Sequence, residues 1–171
     1  MTVNDLHSSE YSSYFQPYID KVEQKPLIQC LEEGKLATET FFQDIPTGKQ
    51  EFRYAEGKWT PKEILLHLSD SERMFCYRAM SFARSDNANL PGYDENEFAL
   101  NSNANKRSMD DIIVEFSAVR AATISLFKSF SDEALMRKGT ANNNTLSVRA
   151  AGFLICGHEI HHRKVISNRY L

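Results

Sequence analysis

Turn-forming residues are scarce in this chain: 7 Gly and 5 Pro make 12 of 171 residues, about 7%, where average usage gives about 12%. That shortage argues against sandwiches and barrels, which need a turn every ten residues or so, and leaves helices. Long apolar runs are missing as well. None approaches the length needed to cross a bilayer, and Met1–Glu10 has neither the basic n-region nor the apolar h-region of a secretory leader, so no membrane association and a cytoplasmic location are expected. Nor is there an excess of positive charge. With 20 Lys+Arg against 23 Asp+Glu, interspersed, no basic stripe is available to neutralise phosphates, and nucleic acid is not an expected partner. The cysteines are few. Cys30, Cys76 and Cys156 are odd in number, widely spaced and set in apolar stretches, so they read as reduced core residues. What remains is 42% hydrophobic and 25% charged, the composition of one soluble globular domain. Histidine is the exception to this plainness: His158, His161 and His162 crowd into five residues.

Periodicity divides the chain. Residues 1–17, with Tyr11, Tyr14, Phe15 and Pro17 at no clear period, read as an extended arm on the surface of a domain covering residues 18–171. A first helix, from about Tyr18 or Pro26 to Gln43, follows from Leu27, Leu31, Thr38, Phe41 and Phe42. Pro46–Lys49 stops it, and Glu51–Ala55 is expected to be extended. The second helix has the clearest start: Thr60-Pro61-Lys62-Glu63 combines an N-cap, a proline at the first helical position and a capping-box glutamate. Ile64, Leu68, Phe75, Ala79 and Phe82 carry it to about Arg84. Residues 85–107 then form a connection long enough to suggest a functional loop or lid. A third helix starts at Ser108, with Asp110 and Asp111 at the positive end of its dipole. A polar connection over Gly139–Thr145 leads to a fourth, capped by Ser147 and running towards Leu171. The fold class is therefore all-α, a four-helix bundle whose loops do not force a simple up-and-down order. Phe116, Phe127 and Phe130 on the third helix exceed what one core requires, which suggests a homodimer through that face.

His158 and His162, four apart, project from one helix face about a turn apart, the spacing that lets two ring nitrogens meet one metal ion. His161 lies off that pair and, like His7, need not join it. His67, between Leu66 and Leu68 in the apolar stripe of the second helix, must be buried. Alone it would read as a satisfied core histidine. With the other two it makes three imidazoles and leaves a tetrahedral position open, as in a catalytic zinc site. Asp70, Glu72 and Glu159 are at hand to orient the rings. Imidazole suits zinc, nickel, copper and iron alike. His158-Glu159-Ile160-His161-His162 also satisfies the H-E-x-x-H pattern of zinc proteases. Only nine residues follow His162, however, and Val165 and Asn168 stand where the metzincin continuation needs Gly and His. Arg78 reads either as a pocket residue for an anionic substrate group or as half of a buried ion pair with Glu72 or an acid of the third helix, and Arg120 is equally ambiguous. Trp59 reads as a core anchor.

The run Trp59–Arg73 resembles the W-[ST]-x-x-E-[IV]-x-x-H-[LI]-x-D-x-E signature of the DinB-like superfamily. Tyr77-Arg78-Ala79, Leu90-Pro91-Gly92-Tyr93-Asp94, Val119–Thr123 and Gly157–His162 with Arg169-Tyr170-Leu171 are similar to its further segments, so the likeness spans Leu27–Leu171. The resemblance implies a four-helix bundle with a divalent metal, zinc or nickel, on His67, His158 and His162. It also implies an enzyme acting on a small molecule, either a transferase using a low-molecular-weight thiol or a metal-dependent hydrolase. A metal-binding module without turnover is the reading from another class. Tyr93 stands where Phe is common, and the Asn-rich loops differ, which bears on substrate choice more than on the metal site.

Overall fold

The computed structural model describes residues 1–171. Its long helices are α2 (Leu27–Gln43), α3 (Pro61–Arg84), α5 (Met109–Lys128) and α7 (Val148–Arg169), with shorter α1 (Gln16–Ile19), α4 (Glu95–Asn101) and α6 (Asp132–Met136) between them. Sequence-expected caps start three of the four. Thr60 and Glu63 form the reciprocal capping box of α3, and Ser108 and Ser147 accept from the third residue of α5 and α7. Helix α3 packs on α5 and α7, and α2 packs on the same two. Consecutive long helices α2 and α3 therefore stand across a diagonal, a four-helix bundle without simple up-and-down order.

The regions between the helices are more ordered than periodicity suggests. Residues 1–15 are three 3-10 turns joined by extended residues rather than one extended arm. Glu51–Ala55 forms no strand. The polar connection is instead a hairpin, β2 (Lys138–Ala141) and β3 (Asn144–Ser147), with Asn142 and Asn143 at φ 49° and 59°. Two consecutive left-handed residues make the turn that matches strand twist, and asparagine tolerates that conformation. The strand β1 (Asn89–Leu90), from the long α3–α5 connection, adds to β2 in parallel, and that connection also holds α4. Cys156 is buried, whereas Cys30 and Cys76 are half-buried, and all three are free thiols. Phe116 and Phe127 are buried in the bundle and Phe130 packs half-buried beside Phe127. No helix is long and apolar enough to cross a membrane.

Two apolar clusters fill the bundle. One joins the C-terminal half of α3 to the start of α7 and α2; the other joins the N-terminal half of α3 to α5 and the end of α7. Between them lies a charged layer. Arg120, the largest fully buried side chain, donates through Nε and Nη2 to both Glu72 oxygens at 2.8 and 2.9 Å, through Nη2 to Glu159 at 2.8 Å and through Nη1 to the Leu31 carbonyl at 3.1 Å. Thr38 donates to Glu159 at 3.1 Å. This one cluster touches α2, α3, α5 and α7. Gly34 leaves the room it needs, since a Cβ there would run into the Glu159 carboxylate. The sequence-level ambiguity of Arg120 resolves to a buried ion pair with two carboxylates.

A second buried pair ties the N-terminal turns to the bundle. Glu10, 2% exposed, accepts from Arg149 and from the Ser147 hydroxyl at 2.8 Å. Burial alone would raise its carboxyl, but Arg149, the His7 N–H and Ser147 outweigh that and hold it at about 2, from an ordinary 4.5. A carboxyl depressed on folding contributes stability above its unfolded value and loses it as pH falls through the folded one. The expected result is that Glu10→Gln costs about 3 kcal/mol near neutrality, because Arg149 is left buried without a counter-charge. The gap from wild type, measured by urea denaturation, closes as pH falls from 4.5 towards 2.

Candidate metal centre

His67 sits in the second turn of α3, and His158 and His162 lie on consecutive turns of α7 facing it. The contact between these two helices brings the rings edge to face, with His67 centroids 5.0 and 5.1 Å from those of His158 and His162. His158 Nε2 is 3.2 Å from His67 Nε2 and 2.9 Å from His162 Nε2, and one nitrogen from each residue falls within 4.8 Å of the others. Three imidazoles on a tetrahedral ion with zinc–nitrogen bonds of about 2.05 Å would hold their nitrogens about 3.3 Å apart. Burial pushes His67 down to about 4, and burial with the neighbouring imidazoles pushes His158 and His162 well below the ordinary range. All three are thus neutral at physiological pH, the form that offers a lone pair to a metal. The donor set fits a divalent ion.

The surroundings differ from the sequence expectation. Asp70 pairs with Arg73, and Glu72 and Glu159 pair with Arg120, so none of the three acids orients a ring. Glu159 follows His158 by one residue, about 100° round the helix, and points to the charged layer rather than to the cluster. Instead, Ser71 Oγ lies 3.5 Å from His67 and shares a 2.8 Å hydrogen bond with the Tyr93 hydroxyl. The Trp59 ring is 4.6 Å from that of His67 and the Tyr18 ring 5.5 Å from that of His158. Nδ1 of His162 is buried without a partner. His161 packs against Tyr18 at 5.1 Å and stays outside the cluster, and exposed His7 caps an N-terminal turn.

The three histidines open on a cavity of about 420 Å³. Its wall includes Trp59, which is thus more than a core anchor, together with Ser71, Phe75, Arg78 and Leu154 from the bundle. Tyr93 and Glu95 enter from the α3–α5 connection, Asn142 and Asn144 from the hairpin, and Tyr14, Phe15 and Tyr18 from the N-terminal segment. Sequence reasoning missed the hairpin and the N-terminal aromatics as site residues. The consecutive asparagines at the turn were the available signal for the first; the second carried none, because no period marks them.

A family model for the DinB superfamily matches residues 31–166. Among solved structures, the chain is similar to YfiT from Bacillus subtilis, described as a probable metal-dependent hydrolase with an unusual four-helix bundle topology. The two share 18% identity and a TM-score of 0.74, over 86% of this chain and 91% of that one. A DinB-like protein from the same organism, YjoA, shares 17% identity and a TM-score of 0.58, over 83% and 87% of the two chains. At these identities the likeness concerns the fold. No curated protein matches the chain.

Proposed function

Because the chain belongs to the DinB superfamily and gathers three neutral imidazoles on one cavity wall, we propose that it is a metal-dependent enzyme whose ion, zinc or nickel, is held by His67, His158 and His162. The convergence of three Nε2 atoms carries this reading. When bound, such an ion supplies a Lewis acid with an open position, at which a thiol or a water is made more acidic. We favour transfer of a low-molecular-weight thiol to a small electrophile: a carbon–sulfur bond forms, the bond to the leaving group breaks with its electron pair, and the thiol proton is released. The chain's own residues serve that reaction by shape and by proton supply. Aromatic side chains exclude water around the histidines, and Tyr93, whose hydroxyl burial keeps protonated, offers a proton to a departing group. Hydrolysis is the second reading, favoured by the description of YfiT.

The two are separated by incubating zinc- or nickel-loaded protein with a chlorodinitrobenzene and a panel of small thiols. The expected result is conjugation well above the buffer rate, with a strong dependence on which thiol is supplied. Failure of every thiol, with turnover of simple esters, would replace transfer by hydrolysis.

A further inference from the structure

Arg73, Arg107, Arg120 and Arg149 each have a carboxylate partner, and Arg78 has none. It is 7% exposed, makes no hydrogen bond or ion pair, and its Nε is buried without an acceptor. Glu72, a partner that the sequence made available, is committed to Arg120. Nε has lost its hydration without gaining an acceptor, and no carboxylate answers the charge. Its surroundings are the Phe75 ring, 5.6 Å away, and the cavity, whose wall it joins as the one lysine or arginine.

We propose that Arg78 is the anion-binding residue of this cavity and that the substrate class is a small monocarboxylate with an apolar body. The inference rests on the reading of the cavity as an active site. At the Arg78 end of the cavity, away from the histidines, one unpaired cation answers one negative charge, which favours a carboxylate over a phosphate dianion, and the planar fork of arginine matches a carboxylate in two parallel hydrogen bonds. Glu95, the acid on the same wall, is exposed, so water and salt screen it. Phe15, Phe75, Leu146 and Leu154 supply apolar surface for the body of the ligand. Along α3 the eleven residues from His67 to Arg78 span about 16 Å, and a helical side chain leans back towards the N-terminus. The carboxylate therefore sits at the far end of the ligand from the atom that approaches the histidines.

The test compares 3-phenylpropionate with its neutral amide by calorimetry on the metal-loaded full chain, with the fluorescence of Trp59, the single tryptophan, as a second readout. The acid is expected to bind about 10- to 100-fold more tightly than the amide, the range for hydrogen bonds to a charged group. Arg78→Met removes this preference and Arg78→Lys keeps part of it. The methionine variant melts no lower than wild type, since it loses only an unpaired buried charge, so a lost preference is not a folding defect. Wild-type chain freed of metal by a chelator keeps the acid preference. Equal binding of acid and amide, no binding of the acid at millimolar concentration, or a preference surviving in Arg78→Met overturns the inference. So does a preference that is lost in the metal-free chain and kept in Arg78→Met, which would put the carboxylate on the ion.

Discussion

Alanine in place of His67 or His162 is expected to strip the protein of its ion. Metal analysis of chain purified without a His-tag should give about one ion per chain for wild type, as a single three-imidazole site requires, and close to none for either variant. The size of the effect follows from the ligand count. Loss of an outer partner of a metal ligand already costs about 10- to 100-fold in affinity, and loss of one ligand of three costs more. His161→Ala is the control, because His161 lies on Tyr18 outside the cluster and its removal should leave the ion content unchanged. Equal content in wild type, His67→Ala and His162→Ala would sink the assignment. Loss in His161→Ala as well would mean that the N-terminal aromatic wall, rather than three nitrogens, decides occupancy.

The helices and the His158–His162 pair were legible because both depend on local spacing, and His67 because its place in an apolar stripe called for a buried partner. An N-cap at Thr60, a stripe from Ile64 to Phe82 and two histidines four apart are properties of one helix, and they hold whatever packs against it. Partner choice is not local. Asp70, Glu72 and Glu159 stood near the histidines in sequence, yet each pairs with an arginine: Asp70 with Arg73 on its own helix, and Glu72 and Glu159 with Arg120, which α5 brings between them. The angular argument that removed His161 from the pair applies equally to Glu159. Arg78 and Arg120 were indistinguishable as letters and opposite in role: α5 carries Arg120 into the path of two carboxylates, whereas α3 turns Arg78 to a cavity. The N-terminal aromatics were opaque for a third reason. The segment that carries them is tied to the bundle by a long-range pair, Glu10 with Arg149, 139 residues apart, which no local pattern shows.

The Arg120 layer gives the largest expected effect on stability. Arg120→Met leaves Glu72 and Glu159 facing each other in the core with no cation, and removing one member of a buried pair costs about 3–5 kcal/mol. A domain of this kind has only about 5–15 kcal/mol in all, so the variant is expected to lose much of its urea resistance and to be partly unfolded when warmed. Burial already raises the Glu159 carboxyl with Arg120 present, and Arg120→Met removes the cation that opposes that rise. The cost is one of desolvation rather than of lost attraction, and this can be measured. Replacing all three residues by methionine removes every charge while keeping similar volume, and such replacements are often neutral or stabilising. The triple variant should therefore recover most of the stability that Arg120→Met loses. If it recovers stability and keeps its metal, the layer acts in folding alone. If it recovers stability and loses its metal, the layer holds α3 and α7 in the register that brings His67 to His158, because Glu72 and Glu159 stand on those two helices. A triple variant no more stable than Arg120→Met would overturn the desolvation account and leave the lost hydrogen bond from Arg120 to the Leu31 carbonyl as the source of the loss.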